Sequence, residues 1–249
     1  MRNDEQAKIL SRFFKTGKGE YGEGDCFLGI RVPQTRMIVK GYKDLPLEEI
    51  HHLLMSQWHE VRLCGILILV KQFEQLCSKR SLDNTDSFVL RERILNFYID
   101  HAEQVNNWDL VDLSAPKILG RWLTLPNTLN NEIRDSYNER KDKEILIDSL
   151  ANSSCLWKQR MSIVCTWATS AAGDPSWCLQ YAEKHLYHSH DLMHKAVGWM
   201  LREMGKRVSM ELLRSFLQQH ATNMPRTTLR YAIEKMEKKE RLFWMNLKK

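Results

Sequence analysis

Twelve stretches of this 249-residue chain repeat apolar side chains close to every 3.6 residues, and no pair of alternating segments competes with them. That period is the mark of a helix with one buried face. Helices are therefore expected over 4–16, 46–55, 58–78, 86–103, 107–115, 127–138, 143–150, 156–170, 175–187, 191–207, 209–219 and 226–241. The segments beginning near Trp157, Met193 and Arg226 are 36 and 33 residues apart. A two-helix unit of that length stacks on its neighbours, because one unit alone cannot bury its apolar face. An all-α superhelical solenoid forming a single domain over 1–249 is the expected architecture. The stretch 58–76 is apolar around most of its circumference and so belongs to an inner layer, with one polar row left to line a concave face.

Local punctuation agrees. Asp174-Pro175 has the form of an N-cap and first-turn proline, Ser209 that of an N-cap, and Asn223-Met-Pro225 opens the last helix. The Gly-rich segment Thr16-Gly-Lys-Gly-Glu-Tyr-Gly-Glu-Gly-Asp25 is read as the one long loop. It contains neither the GxxxxGK[ST] nor the GxGxxG pattern of a phosphate cradle.

An apolar content of 43% supports a buried core and argues against disorder. The acidic N-terminus has no apolar run behind it and is not read as a secretory leader. The longest apolar run, Cys64–Val70, is too short to cross a bilayer. The six cysteines, at 26, 64, 77, 155, 165 and 178, show no CxxC spacing and read as reduced, buried thiols. These features predict a soluble, cytoplasmic protein without membrane contact. His185, His188, His190 and His194 fall within ten residues, but no cysteine or carboxylate pattern accompanies them. They read as a turn between two helices, with no metal and no cofactor expected.

Charge is uneven along the chain. Residues 195–249 hold 13 Lys and Arg against 5 Asp and Glu, whereas the overall excess is only +6. A localised positive surface attracts a polyanion, most often nucleic acid. The end of the chain, Lys235-Met-Glu-Lys-Lys-Glu-Arg241, alternates in sign and reads as a solvated helix face. Lys195, Trp199, Arg202 and Lys206, by contrast, fall at i, i+4, i+7 and i+11, a stripe of three cations around an indole suited to phosphates and a base or sugar face. Arg160 follows Trp157 at the start of its helix.

Trp108 and Asp112 stand four residues apart, so in a helix the indole and carboxylate project from one face. Pro116, four residues further on, has no amide hydrogen for the Asp112 carbonyl and must kink or end the helix. A broken turn beside a carboxylate and an aromatic plate is a place for chemistry. The pair equally fits a buried indole and a solvated aspartate.

Four motifs in order, Phe27-Leu-Gly-Ile-Arg-Val-Pro33, Trp108-Asp-Leu-Val-Asp112 with Pro116, Trp157-Lys-Gln-Arg160 and Lys195-Ala-Val-Gly-Trp-Met-Leu-Arg-Glu203, give a chain that resembles the AlkD family of DNA alkylation repair glycosylases over about residues 5–235. The resemblance implies a HEAT-like solenoid whose concave surface grips double-stranded DNA as a monomer and excises N3- and N7-alkylated purines, with the lesion left largely stacked. It implies that Asp112 is catalytic, that Trp108 and Trp199 flank the lesion nucleotide, and that Arg160 assists by holding a phosphate. Lys195, Arg202 and Lys206 would contact DNA, and Tyr21 would match a family aromatic that lies along the backbone. The stretch 105–116 holds no lysine for a Schiff base, which favours hydrolysis without strand cleavage. A non-catalytic HEAT-like module for damaged or branched DNA, and a protein-binding solenoid adaptor, are the alternatives.

Overall fold

The computed structural model describes residues 2–126 and 136–247, and among them the only regular elements are helices. The expected helix over 127–138 lies, for residues 127–135, outside the described residues. The chain forms two compact units, one reaching to Ile118 and the other starting at Leu119.

The first unit contains α1 (Asp4–Phe13), α2 (Val32–Val39), α3 (Leu47–Leu54), α4 (His59–Leu76), α5 (Thr85–Asp100) and α6 (Trp108–Ser114). As its apolar circumference requires, α4 is the inner helix. It packs against α2, α3, α5 and α6, and buries Leu63, Ile66, Ile68, Leu69, Val70 and Phe73. The helix α2 lies between the expected helices 4–16 and 46–55, where none was expected. At its start Arg31 N–H donates to Gln34 Oε1 at 2.9 Å, one half of a capping box, and Pro33 in the first turn costs no hydrogen bond. Just before it, Gly29 has φ +79°, and a Cβ there would stand 2.0 Å from the Asn3 carbonyl oxygen. Its amide, with those of Leu28 and Ile30, donates to the Glu60 carboxylate at 2.8–3.1 Å. The loop is thereby tied to the first turn of α4.

The second unit contains α7 (Leu119–Leu123), α8 (Ser136–Ala151), α9 (Leu156–Val164), α10 (Thr166–Ala171), α11 (Ser176–Lys184), α12 (Asp191–Arg207), α13 (Met210–His220), α14 (Arg226–Ala232) and α15 (Lys238–Asn246). Here α12 is the inner helix, packed against α9, α10, α11, α13 and α14. Gly198 permits its closest contact: a Cβ would meet the Thr228 carbonyl oxygen and Tyr231 Cβ of α14, each at 2.5 Å. The predicted caps recur, with Asp174 Oδ1 accepting from Ser176 N–H at 2.9 Å and Ser209 Oγ from Leu212 N–H at 3.3 Å. Two expected helices are divided. The stretch 156–170 breaks at Cys165, and 226–241 breaks after Ala232, where a turn tucks in the buried Ile233 and Met236. All six cysteines are free thiols, and burial pushes Cys178 up to about 12.

Candidate functional site

The Trp108–Asp112 pair stands on α6, as its spacing predicts. The helix starts where the fully buried Asn107 turns its Oδ1 to accept Trp108 N–H at 2.9 Å. It ends at Ser114, two residues before Pro116, and the amides of Lys117 and Ile118 both return to the Ser114 carbonyl at 2.9 Å. Ser114 Oγ donates to Leu110 O at 2.6 Å and lies 2.7 Å from Tyr98 Oη, which anchors the far end of α6 to α5.

Trp108 is half-buried, stacked on Phe14 at 5.3 Å and edge-on to Phe13 at 5.8 Å. Phe13 is 60% exposed, a large apolar ring left in solvent beside the indole. The half-buried Tyr21 joins this patch from the Gly-rich loop, its hydroxyl donating to the Phe13 carbonyl at 3.5 Å. The half-buried Asp112 follows one helical turn after Trp108.

The other carboxylate of α6, Asp109, is held by a histidine. Asp109 Oδ2 lies 2.9 Å from His59 Nε2, and His59 Nδ1 lies 2.9 Å from Asp25 Oδ2. Arg62 Nη2 donates to Asp25 Oδ1 at 2.6 Å and Arg62 Nη1 to the Ser56 carbonyl at 2.9 Å. His59 is 2% exposed. Burial by itself would push the imidazole down, but the hydrogen bonds and charges of Asp109 and Asp25 outweigh it and raise His59 to about 9. Burial likewise opposes ionisation of Asp25, and its bonds to His59 and Arg62 overcome that and hold it below the ordinary carboxylate range. Motif reading missed this group. Its signal was the charged run His59-Glu60 with Arg62 at the mouth of an otherwise apolar helix.

In the second unit the expected stripe runs along α12. Trp199 and Lys195 are half-buried and Lys206 is exposed. Lys195 Nζ lies 2.7 Å from Asp191 Oδ2, and Arg202 is hydrogen-bonded to Glu234 of the turn after α14. Lys195, Asp191, Thr227, Arg230, Tyr231 and Glu234 line an open cleft of about 570 Å³. Arg160 is only 4% exposed, and its Nη1 donates to the Leu192 carbonyl at 2.6 Å, joining α9 to the first turn of α12.

The histidine cluster is occupied with local structure. His190 Nδ1 accepts from Leu192 N–H at 3.1 Å as the N-cap of α12, and His188 Nδ1 accepts from His190 N–H at 3.0 Å. His194 bonds the His188 carbonyl, and buried His185 lies 2.8 Å from Ser162 Oγ. Burial and the neighbouring His188 and Lys184 charges push His185 down to about 4. Among the described residues no group of three or more His, Cys, Asp or Glu side chains is placed to hold a metal ion.

A family model described as DNA alkylation repair enzyme matches residues 1–236. The chain belongs to this family. A solved protein from Enterococcus faecalis, described as a predicted DNA alkylation repair enzyme, shares the fold of this family member with a TM-score of 0.65 at 14% identity, over 96% of this chain and 98% of that one. No curated protein matches it. Membership confirms the expected resemblance and all-helical, solenoid-like class, and makes DNA the family's partner. Among the described residues no helix is long and apolar enough to cross a membrane.

Proposed function

We propose that this protein is a monofunctional DNA glycosylase that hydrolyses the N-glycosidic bond of cationic N3- and N7-alkylated purines in duplex DNA, acting as a cytoplasmic monomer within one functional domain. The observation that carries this reading is on α6. There the half-buried Asp112 carboxylate follows one helical turn after the half-buried indole of Trp108, which packs against the 60% exposed ring of Phe13.

A purine alkylated at N3 or N7 is already positively charged, so it departs without a proton from a general acid. The C1′–N bond breaks with its electron pair passing to the purine, whose charge is neutralised. Positive charge meanwhile builds on the sugar. The Asp112 carboxylate opposes that charge and orients the water, which adds to C1′ and releases its extra proton to the solvent. The indole faces of Trp108 and Trp199 attract a cationic base or an electron-poor sugar, at roughly 0.5–2 kcal/mol for each contact. Arg160 was expected to hold a phosphate; because it is 4% exposed and donates to the Leu192 carbonyl, we assign it instead to positioning the helix that carries Trp199. Tyr21, Lys195, Arg202 and Lys206 are assigned to the DNA backbone. The decisive measurement is release of free 7-methylguanine from a methylated duplex; a purified protein that binds the duplex and releases no base refutes the reading in favour of a binding module.

The ion pairs on α12 lead to a separate expectation. A cation that neutralises a phosphate contributes about −0.9 to the slope of log K against log salt. Lys206→Ala should weaken duplex binding and make that slope shallower by about 0.9. Arg202 must leave Glu234 before meeting a phosphate, so Glu234→Gln should tighten binding. Anisotropy titrations across a salt series check both, and equal slopes for wild type and Lys206→Ala would remove Lys206 from the interface.

A further inference from the structure

His59 places both ring nitrogens 2.9 Å from carboxylate oxygens, Nδ1 at Asp25 and Nε2 at Asp109. A neutral imidazole has one N–H and one lone pair, so it satisfies one of these contacts and presents a lone pair to the other. Only the imidazolium donates twice. Every charged group found against the ring fits this: Asp25 and Asp109 are the acceptors, Arg62 shares Asp25, and neighbouring Glu60 is occupied by the Leu28, Gly29 and Ile30 amides. Asn107 Nδ2 adds a 3.4 Å contact to Asp25.

The two ends of this bridge are not equivalent. Asp25 retains Arg62 and Asn107 if His59 withdraws. Asp109 does not, because its Oδ1 is already buried without a hydrogen-bond partner, so His59 is the donor found on that carboxylate. Asp109 lies in the first turn of α6, directly after Trp108 and three residues before Asp112. A helix of seven residues has little stability of its own, and its pose depends on tertiary anchors. The same imidazole also packs on Phe14 (ring centroids 5.0 Å apart), and Phe14 stacks on Trp108.

We propose that His59 is a positioning residue: as a doubly donating imidazolium it clamps the first turn of α6 and so sets the pose of Trp108 and Asp112. This rests on the reading of Asp112 and Trp108 as the reacting pair. The clamp holds only while the ring is charged. With His59 raised to about 9, the double bridge is complete at neutral pH and is broken at alkaline pH, when the neutral ring has one N–H for its two carboxylates.

Protein labelled with 5-fluorotryptophan tests the clamp without reference to activity. The Trp108 signal is assigned by its loss in Trp108→Phe. It should move with a midpoint near pH 9, and that midpoint should fall in Asp109→Asn, which removes one of the two charges raising it. A Trp108 signal that stays flat from pH 7 to 10 overturns the proposal, as does an unchanged midpoint in Asp109→Asn. In single-turnover assays at neutral pH, Asp109→Asn should slow base release tenfold or more with duplex affinity within twofold. Release within twofold of wild type would make the network merely structural. If the fluorine signal titrates as stated and the wild type releases no base, the glycosylase reading fails while the clamp on α6 stands.

Discussion

Asp112→Asn should slow single-turnover release of 7-methylguanine by about a thousandfold while leaving duplex affinity within about twofold. The substitution conserves shape and removes only charge, so it tests electrostatics with little change in packing. A carboxylate about 4 Å from a developing unit charge, at an effective dielectric near 20, contributes about 4 kcal/mol, which corresponds to about three powers of ten in rate. The charge on the sugar is greatest in the transition state, so the loss should fall on the chemical step and not on binding. Asp109→Asn provides the internal comparison, because it stands on the same short helix but acts through the pose of α6, and its loss should be smaller by one to two powers of ten. Single-turnover rates and anisotropy on the same duplex separate the cases. Equal losses in the two variants would deny Asp112 a special role, and a normal rate in Asp112→Asn would remove it from the chemistry.

What could be read from the sequence followed from what is local in it. The boundaries of α6 were legible because Asn107, Trp108 and Pro116 act within a few residues of one another, and the caps at Asp174 and Ser209 were legible for the same reason. The inner helices were legible because burial on all sides leaves few polar positions, as in α4. The helix α2 was missed because it is only eight residues long and opens beside Gly29 and Pro33, residue types that mark turns, with its cap made by Gln34 reaching back to Arg31 N–H. Asp112 was singled out by its spacing from Trp108 and by the resemblance, but the role of Asp109 could not come from spacing. It depends on His59 and, through His59, on Asp25, which are 50 and 84 residues from Asp109 and join it only through the fold. Histidines crowded in sequence at 185–194 serve caps and turns, whereas a solitary one at a helix mouth is the one held between two carboxylates.

Gly29→Ala should cost about 2–5 kcal/mol of stability, from two effects that a second glycine separates. Gly29 has φ +79°, a conformation that costs a residue with a Cβ about 1–2 kcal/mol. Its Cβ would also stand 2.0 Å from Asn3 O and 2.9 Å from Ala7 N, the two atoms that make the first hydrogen bond of α1. Backbone on both sides leaves no flexible side chain to give way, and overpacking of this kind adds about 1–3 kcal/mol. Gly19 has the same φ of +79° but nothing within 4 Å of its Cβ, so Gly19→Ala should show the conformational cost alone. Urea midpoints for the two variants then measure the seam between α1 and the loop by difference. For a chain of this size the melting temperature should drop by roughly 4–20 °C in Gly29→Ala and by only a few degrees in Gly19→Ala. Equal shifts would mean that the close approach is relaxed cheaply. A large difference would show that Phe13 and Phe14, which α1 and its C-terminal cap place against Trp108, are held by a backbone contact that only glycine permits.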